Sequence, residues 1–117
     1  MLGMAADCVF CRIVDGTIPA KRVFDDELSL AFADLNPQAP VHLLIIPKQH
    51  IASHAEALAE HTGVVGHLLE VAGKLARSEG LGKGYRLVVN TGEDGGQTVK
   101  HLHVHLLGGR AMGWPPG

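Results

Sequence analysis

At 117 residues, 46% of them hydrophobic and 4% aromatic, the chain is long enough to bury the core of one domain without disulfide staples. A net charge of −2 with acids and bases interspersed excludes a groove for long nucleic acids or a polybasic membrane patch, and no apolar run is long enough to span a bilayer. Two cysteines three positions apart cannot form a disulfide framework, so the cytoplasm is the expected location.

Residues 1–6 are expected to be frayed, and they lack the basic segment and apolar core of a secretory signal. Cys8-Val9-Phe10-Cys11-Arg12-Ile13-Val14 reads as a short helical turn. A first strand is expected over 22–24 and a second, returning antiparallel, over 28–33. Two prolines punctuate the loop 34–40, and the apolar run from Val41 is the most strand-like in the chain, ended by Pro47. Val64, Val65, Leu68, Leu69, Ala72, Leu75 and Ala76 recur at helical spacing and predict one long amphipathic helix over 61–78, stopped by Gly80 and Gly82. A further strand is expected over 85–90, and a loop with three glycines, 91–96, follows it. There is no repeat and no linker, so residues 1–117 form a single domain, an α+β fold with an antiparallel sheet covered on one face. The tail carries the only tryptophan, Trp114, which is expected to pack on something, a second subunit included. His54, His61 and His67 match no motif and are expected to be surface or capping residues.

The most informative stretch is 97–107, where His101, His103 and His105 alternate with Leu102, Val104 and Leu106. That is the period of a strand with one buried face, and it sets three imidazoles in a row about 6.6 Å apart. Such a row can transfer protons, hold a metal, or both. A neutral imidazole can also attack phosphorus, splitting one displacement into two easier ones. Thr98, Asn90 and the amides of the glycine loop stand beside the row as donors to phosphate oxygens and to a leaving group. The loop lacks the lysine of a P-loop, and aspartates are not clustered as in a two-metal phosphatase, so covalent histidine catalysis is favoured and no catalytic metal is expected.

The segment His101-Leu102-His103-Val104-His105-Leu106-Leu107 resembles the signature of the histidine triad (HIT) superfamily, three histidines separated by apolar residues. Residues 32–42, 46–51, 95–98 and the ending Gly108-Gly109-Arg110-Ala111-Met112-Gly113-Trp114-Pro115-Pro116-Gly117 are similar to its Hint branch. The resemblance implies a five-stranded antiparallel sheet with one long and one short helix, and two protomers joined into a continuous ten-stranded sheet. It implies a hydrolase of purine nucleoside 5′-phosphoramidates acting through a nucleotidyl-histidine. His103 would attack phosphorus, His105 would bind phosphate oxygens, and the backbone carbonyl of His101 would orient His103. His42 would complete the proton network and Thr98 would touch the leaving group. For the nucleotide, Asp34 corresponds to the ribose acceptor, Asn90 to a phosphate contact, and Phe10, Ile13, Phe32 and Leu44 to the base pocket, with Gln97 beside Thr98. Two departures bear on specificity: Thr98 stands where the branch commonly has Ser, and Gly113 thins the tail before Trp114.

By spacing alone, Cys8 and Cys11 are either half of a tetrahedral metal site or two reduced core thiols; they precede the first strand, unlike a thioredoxin-type redox pair. Some bacterial-type relatives hold a structural zinc, and the resemblance carries its ligands onto Cys8, Cys11, His50 and His101. Two rival functions stay open: a dinucleoside polyphosphate hydrolase, and a zinc-stabilised interaction module with vestigial nucleotide binding.

Overall fold

The computed structural model describes residues 7–117, so the expectation for residues 1–6 lies outside the described residues. Helix α1 (Val9–Val14) starts behind Cys8, whose sulfur accepts the Cys11 N–H, and buries Phe10, Cys11 and Ile13. Strands β1 (Arg22–Asp25), β2 (Ser29–Ala33) and β3 (Val41–Pro47) run as an antiparallel meander. Helix α2 (Thr62–Ser78) then crosses over to β4 (Tyr85–Val88), and β5 (Val104–Gly108) returns between β3 and β4. The sheet is five-stranded and antiparallel, in the order β1-β2-β3-β5-β4. This is the expected α+β fold.

Alternation along the central strands sorts the core into two layers. Ala31, Leu43, Ile45, Val104 and Leu106 face α2 and meet Leu68, Val71, Ala72, Leu75 and Ala76. Leu30, Phe32, Leu44 and Ile46 face the other way and meet Phe10, Cys11 and Ile13 of α1. The sheet is therefore covered on both faces rather than one, because six residues of α1 bury enough side chain to seal the second face over β2 and β3. Leu30, Ile45, Ile46 and Leu68 are fully buried, each contributing about 1.5–3 kcal/mol.

Three expectations shift in detail. Leu69, counted on the buried face of the helix, is 49% exposed, while Val71, two positions on, joins Leu68, Ala72 and Leu75 on the buried face. Two short 3₁₀ turns, His54–Glu56 and Ala59–His61, lead into α2. His61 is buried there and its Nδ1 accepts the Leu58 N–H at 2.9 Å, so it caps from the interior. His67 also does more than face solvent: its Nε2 lies 2.6 Å from Asp26 Oδ2, while Asp26 Oδ1 accepts the N–H groups of Leu28 and Ser29. That pair ties α2 to the β1–β2 turn.

The loop before the histidines is compact. Gly96 N–H donates to Glu93, Gln97 N–H donates to Gly92, and the Gln97 side-chain oxygen accepts Gly92 N–H at 3.0 Å. A Cβ on Gly95 would stand 2.3 Å from the Thr91 carbonyl oxygen, and a backbone atom cannot swing aside. Gly95→Ala is therefore expected to destabilise the fold by about 1–3 kcal/mol, read as a lowered urea midpoint at unchanged m-value. A midpoint equal to wild type would show that the loop opens without cost.

Candidate active site

Leu44 on β3 pairs with His105 on β5, and His42 pairs with Leu107. His42 and His105 are thus diagonal neighbours on one face, within reach of each other across the ladder. Their rings meet with His42 Nε2 2.9 Å from His105 Nδ1, and Asp34 Oδ2 lies 3.4 Å from His42 Nε2. His103 sits on the same side, its ring centroid 5.0 Å from that of His105.

Backbone groups decide which nitrogens carry protons. Gln38 N–H donates to His42 Nδ1 at 3.0 Å, so a neutral His42 carries its proton on Nε2 and donates it to His105 Nδ1. His105 must then carry its own proton on Nε2. That atom is buried and is the one buried side-chain nitrogen or oxygen without a partner among the described residues. His103 is set the opposite way: its Nδ1–H donates to the His101 carbonyl at 2.7 Å, which leaves the lone pair on Nε2. Two adjacent imidazoles thus present one N–H donor and one lone pair.

Burial pushes His105 down to about 4, with His103 and His42 adding to the shift and Asp34 opposing it; burial also lowers His42, again against Asp34. Both rings are neutral at pH 7, as the tautomer chain requires. The folded pKa of His105 lies below its ordinary value of 6.5, so the unfolded chain binds more protons between these values. Stability is therefore fully present above pH 6.5 and is lost as pH falls toward 4. Allowing for the partial solvent access of the ring, wild type is expected to lose about 1.5 kcal/mol more than His105→Gln between pH 7 and pH 5. Urea midpoints of both proteins at the two pH values check this, and parallel losses would contradict it.

A cavity of about 280 Å³ opens beside these rings, at the small end of sites that hold small molecules. Phe10, Ile13, Phe32 and Leu44 form its apolar wall, and Asp34, Thr98, His103 and His105 stand at its polar end. Phe10 packs edge-on against Phe32 (5.4 Å) and against His103 (5.2 Å). Asp34 Oδ1 accepts the Asn36 N–H in a local turn, while its other oxygen faces His42. Eight of the expected substrate-side residues are thus brought to one cavity, and His42 stands behind them.

Two others are not in its lining. Asn90 lies two residues past β4, outside the cavity wall. The Gln97 amide is engaged with backbone, donating to the Ala52 and Val99 carbonyls and accepting from Gly92, so it holds the loop. The Gly92 and Gly96 amides, read from sequence as phosphate donors, are bonded within the same loop. Among the remaining lining residues, sequence reasoning missed Val9, Ile18, Leu35 and Val99. They sit in α1 or in loops where no periodicity marks a lining position; only the neighbourhood of Val9 to Phe10 carried a signal.

Cys8, Cys11, His50 and His101 form a second cluster whose ligand atoms all lie within 4.8 Å of one another. Tetrahedral coordination with Zn–S ~2.3 Å and Zn–N ~2.05 Å requires S–N edges of roughly 3.5 Å and an N–N edge of roughly 3.3 Å. The structure has Cys8 Sγ to His101 Nδ1 at 3.3 Å, Cys11 Sγ to His50 Nδ1 at 3.3 Å, Cys11 Sγ to His101 Nδ1 at 3.5 Å, and the two Nδ1 atoms 3.2 Å apart. His101 Nε2–H donates to the Pro47 carbonyl at 2.8 Å, the outer hydrogen bond that turns the Nδ1 lone pair toward a metal. The residues fit a metal ion. Asp34, His42 and His105 also converge, but the Gln38 N–H keeps the proton of His42 on the converging nitrogen, so that group is arranged as a hydrogen-bonded chain and not as a set of metal lone pairs.

An antiparallel sheet here carries a lone-pair imidazole and a donor imidazole beside an apolar slot. The chain belongs to the HIT domain family, whose family model matches residues 15–112. It is 57% identical to an uncharacterized HIT-like protein of Synechococcus elongatus over 97% of this chain and all of that one. Among solved structures, a HIT family hydrolase from Legionella pneumophila is 54% identical with a TM-score of 0.93, covering 95% of this chain and 100% of its own. A histidine triad protein from Clostridium difficile is 43% identical with a TM-score of 0.90, covering 93% of this chain and 96% of that one.

Proposed function

We propose that the protein is a Hint-type hydrolase that cleaves purine nucleoside 5′-phosphoramidates to the nucleoside monophosphate. The observation that carries this reading is the complementary pair of tautomers: a lone pair on His103 Nε2 beside a buried, unpartnered N–H on His105 Nε2. A phosphate presents an electrophilic phosphorus to the first and an anionic oxygen to the second. The apolar wall of Phe10, Ile13, Phe32 and Leu44 suits a purine, and Asp34 suits the ribose hydroxyls.

In the first half-reaction His103 Nε2 attacks phosphorus, a P–N bond to the histidine forms, and the bond to the leaving amine breaks. The His105 N–H stabilises the charge on the non-bridging oxygen, and Thr98 stands on the leaving-group side. The leaving amine takes up one proton from solvent as it departs. Water then displaces His103 from phosphorus and gives up a proton, with the His42–His105 pair beside Asp34 as the proton network for both steps. Cys8, Cys11, His50 and His101 would hold a structural zinc. With four protein ligands, such a site would supply a cross-link and would leave no open position for substrate.

The same reading includes a homodimer. Strand β4 is a sheet edge, and Tyr85, Val89, Leu69 and Trp114 stay exposed in the single chain. Within the chain, Trp114 meets the Arg86 guanidinium at 6.0 Å. Pairing of two β4 edges would produce the ten-stranded sheet, and light scattering at micromolar concentration should give twice the chain mass.

The test of function is direct competition between substrate classes. Adenosine 5′-phosphoramidate is expected to be hydrolysed with kcat/KM at least about 10-fold above that for diadenosine polyphosphates, measured as AMP release. The opposite order would move the assignment to the dinucleoside polyphosphate hydrolases. Turnover of neither, with zinc bound, would leave an interaction module.

A further inference from the structure

Helix α1 has only six residues, too few to be stable alone, so its position depends on what its side chains grip. Cys8 and Cys11 reach the His50–His101 cluster, while Phe10 and Ile13 line the cavity. Residue 101 has the same double attachment. Its ring nitrogen Nδ1 belongs to the cluster, and its carbonyl fixes the tautomer of His103 at 2.7 Å. Phe10 closes the connection, with its ring 5.8 Å from His101 and 5.2 Å from His103. Two short pieces of backbone therefore carry both the metal cluster and the nucleotide cavity, and neither piece can move for one without moving for the other.

We infer that metal binding and nucleotide binding are thermodynamically coupled through α1 and residue 101, so that a bound nucleoside monophosphate tightens the metal and a bound metal tightens the nucleotide. The inference rests on the cavity being a nucleotide site, as proposed above. Metal would hold α1 against the sheet and keep the His101 carbonyl in place under His103. A nucleotide base seated on Phe10 and Ile13 would hold α1 from the other side. Linkage requires the two effects to be the same factor, about 5- to 50-fold for a coupling of this kind. Metal availability would then set the affinity of the enzyme for its product and substrate without the metal touching either.

Two equilibrium measurements on the whole protein test this. Zinc affinity is measured against a competing chelator with and without saturating AMP, and AMP is expected to raise it at least about 5-fold. Both titrations are run at a temperature where circular dichroism shows the metal-free form folded, so that an effect of AMP reports coupling between the sites and not refolding. AMP affinity is then measured in His50→Ala, which weakens the cluster from outside α1 and the cavity. It is expected to fall by a similar factor at limiting zinc and to recover at saturating zinc. Zinc affinity that ignores AMP, together with AMP affinity that ignores zinc, would overturn the coupling and leave the nucleotide site standing. Failure of the loaded wild type to bind AMP at all would overturn both.

Discussion

His103→Ala is expected to lower kcat for adenosine 5′-phosphoramidate by on the order of 10⁴ or more, a loss of about 5.5 kcal/mol of transition-state stabilisation. The reason is geometric. His103 holds the one lone pair that the tautomer chain leaves facing the cavity, because its other nitrogen is committed to the His101 carbonyl. His105 cannot substitute, since its Nδ1 accepts from His42 and its Nε2 carries the proton. AMP affinity should change only a few-fold, because Phe32, Leu44, Ile13 and Asp34 remain. Steady-state AMP release, AMP titration and mass spectrometry after a denaturing quench at alkaline pH, where a P–N bond to histidine survives, check the three parts; wild type should show a mass increase of one nucleotidyl group and the variant none. Residual activity above about a tenth of wild type would sink the assignment of the nucleophile.

Removal of the metal is expected to have the second large effect, this time on stability. Chelator-treated wild type should melt at least about 10 °C below the zinc-loaded protein, corresponding to about 3 kcal/mol or more for a chain of this size. Cys11→Ala should approach the chelated value and stop responding to chelator. Cys11 is 2% exposed, so its loss also costs packing against the α1 layer, and the chelator experiment on wild type isolates the metal contribution. Metal analysis of protein purified without chelators should give about one equivalent per chain. Less than half an equivalent, or a melting temperature indifferent to chelator, would remove the structural role and leave two core thiols.

Much of the fold was legible as periodicity. The strand expected from Val41 is β3 (Val41–Pro47) itself, since a β-branched and aliphatic run followed by a proline has few other ways to be buried. The long helix was expected within one residue at its start, and the chain leaves it as predicted at Gly80, where φ is +73° and Leu81 N–H donates back to Ala76. The histidine row shows the limit of such reading. Its alternation runs over all three histidines, yet the strand covers only Val104–Gly108. A strand needs partners on its edges, and here β3 pairs only as far as Val104 and β4 only as far as His105. Before that point Leu102 N–H donates to Ile51 instead, and packing between the two layers keeps the alternation of sides without the ladder.

The local pattern of the chain thus determined which residues alternate, where helices stop and which histidines share a side, because these follow from backbone geometry over a few residues. Which imidazole donates and which offers a lone pair was decided elsewhere: by a backbone amide at Gln38 on the far side of His42, and by the turn that brings the His101 carbonyl under His103. The metal cluster likewise joins Cys8 to His101 across 93 positions, a closure that only the packing of α1 on the sheet produces. Proton positions and ligand convergence depend on contacts between segments remote in sequence, and those contacts exist only once the two layers have closed on the sheet.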